Sequence, residues 1–199
     1  MDNVVIYIHG QGGSPEEAKH YESLFENCDV IGLDYRSNSP WEAKAEFPKL
    51  FDSVCGKYSS VKVIANSIGA FFAMNALAEK KIEKAFFISP VVNMQKLIED
   101  MMTRANVSEE ELQEKGSIET DFGQTLSWEY LSYVRRHQID WKIPTHILYG
   151  GKDNLTSITT ISGFAKQIGA TLTVMENGEH WFHTEEQMNF LDQWIKSLR

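Results

Sequence analysis

Ser67 lies where a buried strand is predicted to turn abruptly into a helix. Residues 61, 63 and 64 are β-branched and form a pattern typical of a buried strand, and from Ala70 the chain is rich in helix formers. Completing the turn within about three residues strains its apex and requires small neighbours, which Ala65 and Gly69 provide. Such a turn lifts the serine hydroxyl off the sheet and points the first helix amides at its target. Ser67 is therefore a candidate nucleophile.

Two distant side chains offer what a serine nucleophile needs. A serine hydroxyl is a weak nucleophile at neutral pH and requires a base, together with an acid that orients the base. Asp153 follows a predicted strand, at the carboxyl end where ligand sites occur in open α/β sheets. His180 lies between the last predicted strand and the final helix. Simpler interpretations also exist, because Asp153 or Asn154 can cap the following helix and His183 competes with His180 as the base.

These segments resemble motifs of the α/β-hydrolase family. Ala65-Asn66-Ser67-Ile68-Gly69 is similar to the G-x-S-x-G nucleophile elbow, with alanine replacing the first glycine. Gly150-Gly151-Lys152-Asp153 is similar to the acid loop, and Gly178-Glu179-His180 to the loop that delivers the histidine. His9-Gly10-Gln11-Gly12-Gly13 is similar to the HGxGG oxyanion loop. The resemblance covers essentially the whole chain, and its three site residues follow the family's order.

The resemblance implies a role for each matching residue. Ser67 is expected to be the nucleophile, His180 the general base, and Asp153 the acid that orients the imidazole. The backbone N–H groups of Gln11 and Ile68 are expected to form the oxyanion hole.

The pattern of elements predicts an α/β fold. Strands are predicted at residues 4–9, 30–33, 61–64, 85–89, 145–149 and 171–175, and most of them are continuous apolar runs. Helices are predicted from apolar residues at helical spacing at residues 43–58, 158–168 and 185–198, with a capped start at Ser14-Pro15. This alternation indicates a mostly parallel sheet of about six strands with helices on both faces, the minimal α/β-hydrolase fold. We expect a single domain over residues 1–199.

Residues 91–140 interrupt the alternation. Helical patterns without a strand are expected there, with one apolar stripe from Met94 to Met102 and another formed by Leu126, Tyr130, Tyr133 and Val134. The resemblance implies a short helical cap at this position. The stripes pack on the sheet in the simplest interpretation, or they line an acyl pocket.

Composition disfavours two classes of partner and indicates the cellular compartment. A formal net charge of -9 disfavours nucleic acid and anionic membrane surfaces. Cys28 and Cys55 are too few for a disulfide scaffold and indicate free thiols in a reducing compartment. The chain shows no leader sequence and no run of about eighteen apolar residues, so a cytoplasmic location is expected.

Three alternatives to a hydrolase are weaker. A dinucleotide-binding oxidoreductase would use the glycine-rich first loop and Asp34, but Pro15 occupies the place of the third glycine. A metal site is disfavoured because His180 and His183 lack the glutamate of H-E-x-x-H. A ligand-binding protein without turnover is compatible with the same residues. The sequence therefore predicts a cofactor-free serine hydrolase that cleaves a small carboxylic ester or thioester.

Overall fold

The computed structural model describes residues 2–199, which contain eight strands and eight α-helices. In chain order the strands are β1 (Asn3–Ile8), β2 (Asp29–Gly32), β3 (Ser60–Asn66), β4 (Lys84–Ile88), β5 (Ser117–Glu119), β6 (Thr125–Ser127), β7 (Thr145–Gly150) and β8 (Thr171–Met175). The helices are α1 (Lys19–Glu22), α2 (Pro40–Cys55), α3 (Ile68–Ala76), α4 (Met94–Ala105), α5 (Glu109–Lys115), α6 (Trp128–Arg136), α7 (Ile158–Ile168) and α8 (Glu185–Leu198). A 3₁₀ turn, Pro15–Ala18, precedes α1.

The predicted α/β architecture is confirmed. Six strands form one parallel sheet in the spatial order β2-β1-β3-β4-β7-β8. Helices α7 and α8 have the predicted bounds, but α2 begins three residues earlier than predicted. The reason is a capping box, in which Ser39 accepts from the Glu42 amide while Glu42 accepts from the Ser39 amide, with Pro40 as the first helical residue.

Both faces of the central strands β1 and β4 are buried, which explains why these strands lack polar alternation. Residues 4–8 of β1 are at most 1% exposed. On one face, α1 and α8 pack against alternate strand residues, and the Trp194 ring meets Phe86 edge-on at 5.9 Å. Helices α2 and α3 pack together, with the Phe47 and Phe72 rings 6.2 Å apart.

The strand order creates a switch point between β1 and β3. The chain leaves β1 to form β2 on one side and then returns to form β3 on the other side. In open parallel sheets the carboxyl ends of strands at such a point bound a crevice that binds ligands. The loop after β1 and the elbow after β3 therefore emerge side by side.

Residues Asn93–Ile139 form a second compact unit, separate from the unit of Met1–Val92 and Asp140–Arg199 that contains the sheet. Within it, α4 packs against α6, and Arg135 binds Glu109 at 2.6 Å and Glu99 at 3.2 Å. The division falls near the predicted cap boundaries. The covering role of the insertion remains a prediction.

The expectation that this insertion has no strand is wrong. Strands β5 and β6 form an antiparallel hairpin, and Leu126 belongs to β6 rather than to a helical stripe. The connecting loop closes through Thr120, whose hydroxyl donates to the Gln124 carbonyl at 2.7 Å, and through Gly123 at φ +77°. Strands of three residues are too short for alternation to mark them in the sequence.

Candidate active site

The Ser67 turn has the strained conformation that the sequence predicts. Its backbone lies at φ 50° and ψ −121°, a region that L-residues rarely adopt. The helix that follows approaches β1 so closely that a Cβ on Gly69 would lie 2.2 Å from the His9 carbonyl oxygen. The amide of Ile68 opens α3, and such an amide has no intrahelical acceptor.

The structure brings Ser67, His180 and Asp153 together. The Ser67 Oγ lies 2.9 Å from His180 Nε2, and His180 Nδ1 lies 2.7 Å from Asp153 Oδ2. The Asp153 side chain is fully buried, whereas that of His180 is 21% exposed. In such a series the imidazole can remove the proton of the hydroxyl. The hydrogen bond to the buried carboxylate keeps the imidazole ring in the required orientation.

The loop that carries His180 is fixed to the loop that carries Asp153. The Gly151 amide donates to the Met175 carbonyl, and the Lys152 amide donates to the Gly178 carbonyl, both at 2.8 Å. A Cβ on Gly150 would lie only 2.4 Å from the Glu179 carbonyl oxygen, so this approach requires glycine. Because β8 is three strands away from β3, these contacts hold the histidine within reach of Ser67.

Asp153 does not cap α7, the alternative role considered for it, but it folds the loop before that helix. Its Oδ1 accepts from the Leu155 amide at 2.7 Å and from the Thr156 amide at 3.1 Å, which folds the loop before α7. The N-cap of α7 is Ser157, so Asp153 is free of the helix cap and directs Oδ2 to the imidazole.

The loop after β1 lies directly against Ser67. A Cβ on Gly10 would lie 3.2 Å from Ser67 Cβ. The Gly13 amide donates to the Gly10 carbonyl at 3.1 Å and closes a turn in which Gly12 has φ +74°. Gln11 lies in this turn, beside the residue that touches Ser67. Its proposed role as an oxyanion donor remains a prediction.

The remaining histidines near the site have structural contacts. His9 stacks on Tyr35 at 4.3 Å and places Nδ1 2.8 Å from the Gly10 carbonyl oxygen, so its ring orders the loop. His183, the rival base, is exposed and stacks on Trp181 at 4.7 Å. The Ser67 partner is His180.

A buried polar group that the sequence did not predict lies beside the site. The Tyr7 hydroxyl contacts both Glu17 and Asn66, although Tyr7 lies inside an apolar strand. Burial, the neighbouring Tyr21 and the bond to Glu17 raise the pKa of Tyr7 far above its usual range, so the hydroxyl keeps its proton. A tyrosine in a fully buried strand was the available signal, because a buried hydroxyl needs a partner.

Two negative findings concern residues 2–199. No group of three or more histidine, cysteine, aspartate or glutamate residues is arranged to hold a metal ion in this part of the chain. None of its helices combines the length and the apolarity needed to cross a membrane.

Comparison with solved structures identifies the fold. Mouse α/β hydrolase domain-containing protein 10 superposes with a TM-score of 0.75 at 14% identity, over 98% of this chain and 88% of that one. An esterase from Pyrococcus furiosus gives 0.61 at 20% identity, over 99% and 80%. The thioesterase domain from the curacin biosynthetic pathway gives 0.63 at 14% identity, over 98% and 91%. The chain therefore has the α/β-hydrolase fold. No family model and no curated protein sequence matches it.

Proposed function

We propose that this protein is a serine hydrolase that cleaves a carboxylic ester or thioester through an acyl-enzyme. The observation that carries the proposal is the series of contacts from Ser67 Oγ to His180 Nε2 at 2.9 Å and from His180 Nδ1 to Asp153 Oδ2 at 2.7 Å. The series begins at a serine held in a strained backbone turn, a kind of conformation that clusters at active sites.

The first half of the reaction forms the acyl-enzyme. His180 Nε2 takes the proton as Ser67 Oγ forms a bond to the acyl carbon, and Asp153 stabilises the resulting imidazolium. The carbonyl oxygen becomes an oxyanion, which the amides of Gln11 and Ile68 would bind; such donors typically lower the barrier by about 3 kcal/mol each. The bond to the leaving group then breaks, and His180 returns the proton to the departing alkoxide or thiolate.

The second half reverses these roles. His180 removes a proton from water as the oxygen of that water attacks the acyl carbon. Collapse of the second oxyanion breaks the bond to Ser67 Oγ, which recovers its proton from His180. The products are a carboxylic acid and an alcohol or thiol, and the mechanism requires no cofactor.

Among the bonds that a serine hydrolase can cleave, we favour the ester and the thioester. Structural neighbours of this fold are named as an esterase and a thioesterase domain. The same triad serves both bonds, since an alcohol and a thiol are each released after proton return from the base. A small acyl compound is the expected substrate.

Labelling with a fluorophosphonate tests the proposal. The probe forms a covalent bond only with an activated serine, so we expect one adduct per chain, located at Ser67 by peptide mass spectrometry. Ser67→Ala should abolish both the adduct and hydrolysis of p-nitrophenyl acetate. Folded wild-type protein without an adduct or turnover would instead identify a ligand-binding protein with an inactive triad.

A further inference from the structure

Three side chains form a hydrogen-bonded chain next to the triad. Its centre is Tyr7, which is 1% exposed and whose hydroxyl donates to the Glu17 carboxylate and accepts from Asn66 Nδ2 at 2.9 Å. A tyrosine hydroxyl has a single proton to donate, and Tyr7 donates it in the hydrogen bond to the carboxylate. Asn66 must therefore present its NH₂ group to Tyr7, so the direction of each bond is determined.

One end of the chain holds the loop after β1. Besides binding Tyr7, Glu17 accepts at Oε1 from the Ser14 amide at 3.2 Å. A Cβ on Gly13 would lie 2.9 Å from the same oxygen, so the carboxylate rests against the loop backbone. Glu17 thus fixes the end of the loop that contains Gln11.

The other end holds the nucleophile elbow. Asn66 is the last residue of β3 and immediately precedes Ser67. Its Oδ1 is buried without a hydrogen-bond partner among residues 2–199, so the carboxamide is held through Nδ2. A Cβ on Gly10 would lie 3.5 Å from the Asn66 carbonyl oxygen, which places the loop and the elbow in contact.

We infer that the Glu17–Tyr7–Asn66 chain sets the spacing between the two oxyanion donors, Gln11 and Ile68. The three residues are positioning residues, and the inference rests on the proposed function. Oxyanion donors bind the transition state more strongly than the substrate, so misplacing one of them lowers kcat and leaves KM nearly unchanged. A displacement of about 1 Å at such a site can lower the rate up to about a hundredfold.

The test begins with Tyr7→Phe, which removes the hydroxyl and keeps the ring. We expect kcat for p-nitrophenyl acetate to fall about tenfold, with KM within about twofold of wild type. Tyr58→Phe is the matched control. Tyr58 donates to Asp29 Oδ2 at 2.8 Å, and Asp29 is at the amino end of β2, whereas the candidate site is at the carboxyl ends of the strands. This control loses the same type of bond and should keep the wild-type kcat.

Glu17→Gln extends the test to a second member of the chain. The amide has one oxygen and cannot accept from both Tyr7 and the Ser14 amide as the carboxylate does. We expect a loss in kcat of about tenfold in this variant, and a loss of about tenfold rather than a hundredfold when it is combined with Tyr7→Phe. Glu17 is exposed, so this variant tests the inference even where Tyr7→Phe fails to fold.

The outcomes separate the inference from the proposed function. Wild-type protein that neither labels nor turns over the ester overturns both. If the wild type is active, any of three results overturns the inference alone. These are a kcat within twofold of wild type in the Tyr7→Phe and Glu17→Gln variants, losses that occur in KM instead of kcat, and losses in kcat that multiply in the double variant. A kcat loss confined to these variants and shared between them supports the inference.

Discussion

At the scale of single residues, Asp153 divides its two oxygens between two tasks. Oδ1 accepts from two backbone amides and folds its own loop, whereas Oδ2 meets His180 at 2.7 Å. The helix-capping interpretation is wrong, since Ser157 caps α7; Asp153 instead folds the loop before that helix and places its second oxygen against His180. Local sequence predicted where this carboxylate lies but not how its two oxygens are used, because their partners depend on the folded loop.

Asp153→Asn separates those tasks. The amide oxygen can still accept from Leu155 and Thr156, but the NH₂ group then faces His180 and leaves the ring proton on Nε2, where it blocks proton transfer from Ser67. We expect kcat to fall about 10⁴-fold with little loss of thermal stability, measured by steady-state kinetics and thermal unfolding.

The matched control for this variant is Asp192→Asn. It alters the other histidine–aspartate pair, in which His20 Nε2 lies 2.7 Å from Asp192 Oδ1, and neither residue contacts the triad. Its kcat should equal that of wild type. Retention of more than a tenth of the activity in Asp153→Asn would contradict the proposed role of the carboxylate.

The Glu17–Tyr7–Asn66 chain shows where sequence analysis ends at this scale. Asn66 was visible only as the variable residue before Ser67 in the elbow motif, and nothing in the sequence singled out Glu17. The bond from Asn66 to Tyr7 joins residues 59 positions apart. No local pattern specifies such a pair, because their proximity results from the parallel pairing of β1 with β3.

At the scale of elements, the six strands of the parallel sheet were predictable and the two three-residue strands of the hairpin were not. Strand β1 is identifiable because both of its faces are covered, which makes residues 4–8 apolar in succession. Hairpin β5–β6 stayed hidden because its strands have three residues each and only Leu126 is buried. The sequence also contains the signal for the true start of α2, the capping box at Ser39 and Glu42. The prediction began later because it relied on the spacing of apolar residues.

The approach of α3 to β1 gives a prediction at this scale. Gly69→Ala places a methyl group 2.2 Å from the His9 carbonyl oxygen and 2.9 Å from that of Ile8. Both are backbone atoms at the end of β1 and the start of its loop, which can give way less than a flexible side chain, so we expect the free energy of unfolding to fall by about 3 kcal/mol, with activity lost.

The control is Gly163→Ala within α7, where a Cβ would meet nothing within 4 Å. Replacing a glycine inside a helix should raise the free energy of unfolding by about 0.5–1 kcal/mol and leave activity unchanged. Urea denaturation and ester hydrolysis measure both variants. Equal stabilities of the Gly69→Ala variant and wild type would show that the α3–β1 contact tolerates a side chain.

At the scale of the whole molecule, the strand order explains why a site dispersed in sequence is local in space. Parallel strands place all their carboxyl ends along one edge of the sheet, so the loops after β1, β3, β7 and β8 converge there. The order of the motifs along the chain was therefore enough to predict their convergence. The distances, which decide whether proton transfer is possible, required the glycine contacts that join the loops of Asp153 and His180.

Stability of the whole molecule should depend on the protonation of His146 in β7. Its Nδ1 lies 2.7 Å from Thr171 Oγ1, and its ring lies 5.6 Å from Phe86. Burial, with a smaller contribution from the charge of Lys84, lowers the pKa of His146 below its usual range. The unfolded chain, with a histidine pKa of about 6.5, then binds this proton more readily than the folded chain.

This difference in proton binding makes a fall in pH destabilise the folded state. Above about pH 6.5 both states hold a neutral His146 and its contribution is complete; as the pH falls below this value the unfolded state gains a proton and is favoured. Urea denaturation between about pH 7 and 5 should show a steeper loss of stability in wild type than in His146→Gln, by at most about 1.4 kcal/mol per pH unit. Lys84→Met should reduce the difference without abolishing it, because burial is the larger cause. Identical slopes in wild type and His146→Gln would show that the folded and unfolded states bind this proton equally, so that other groups account for the pH dependence.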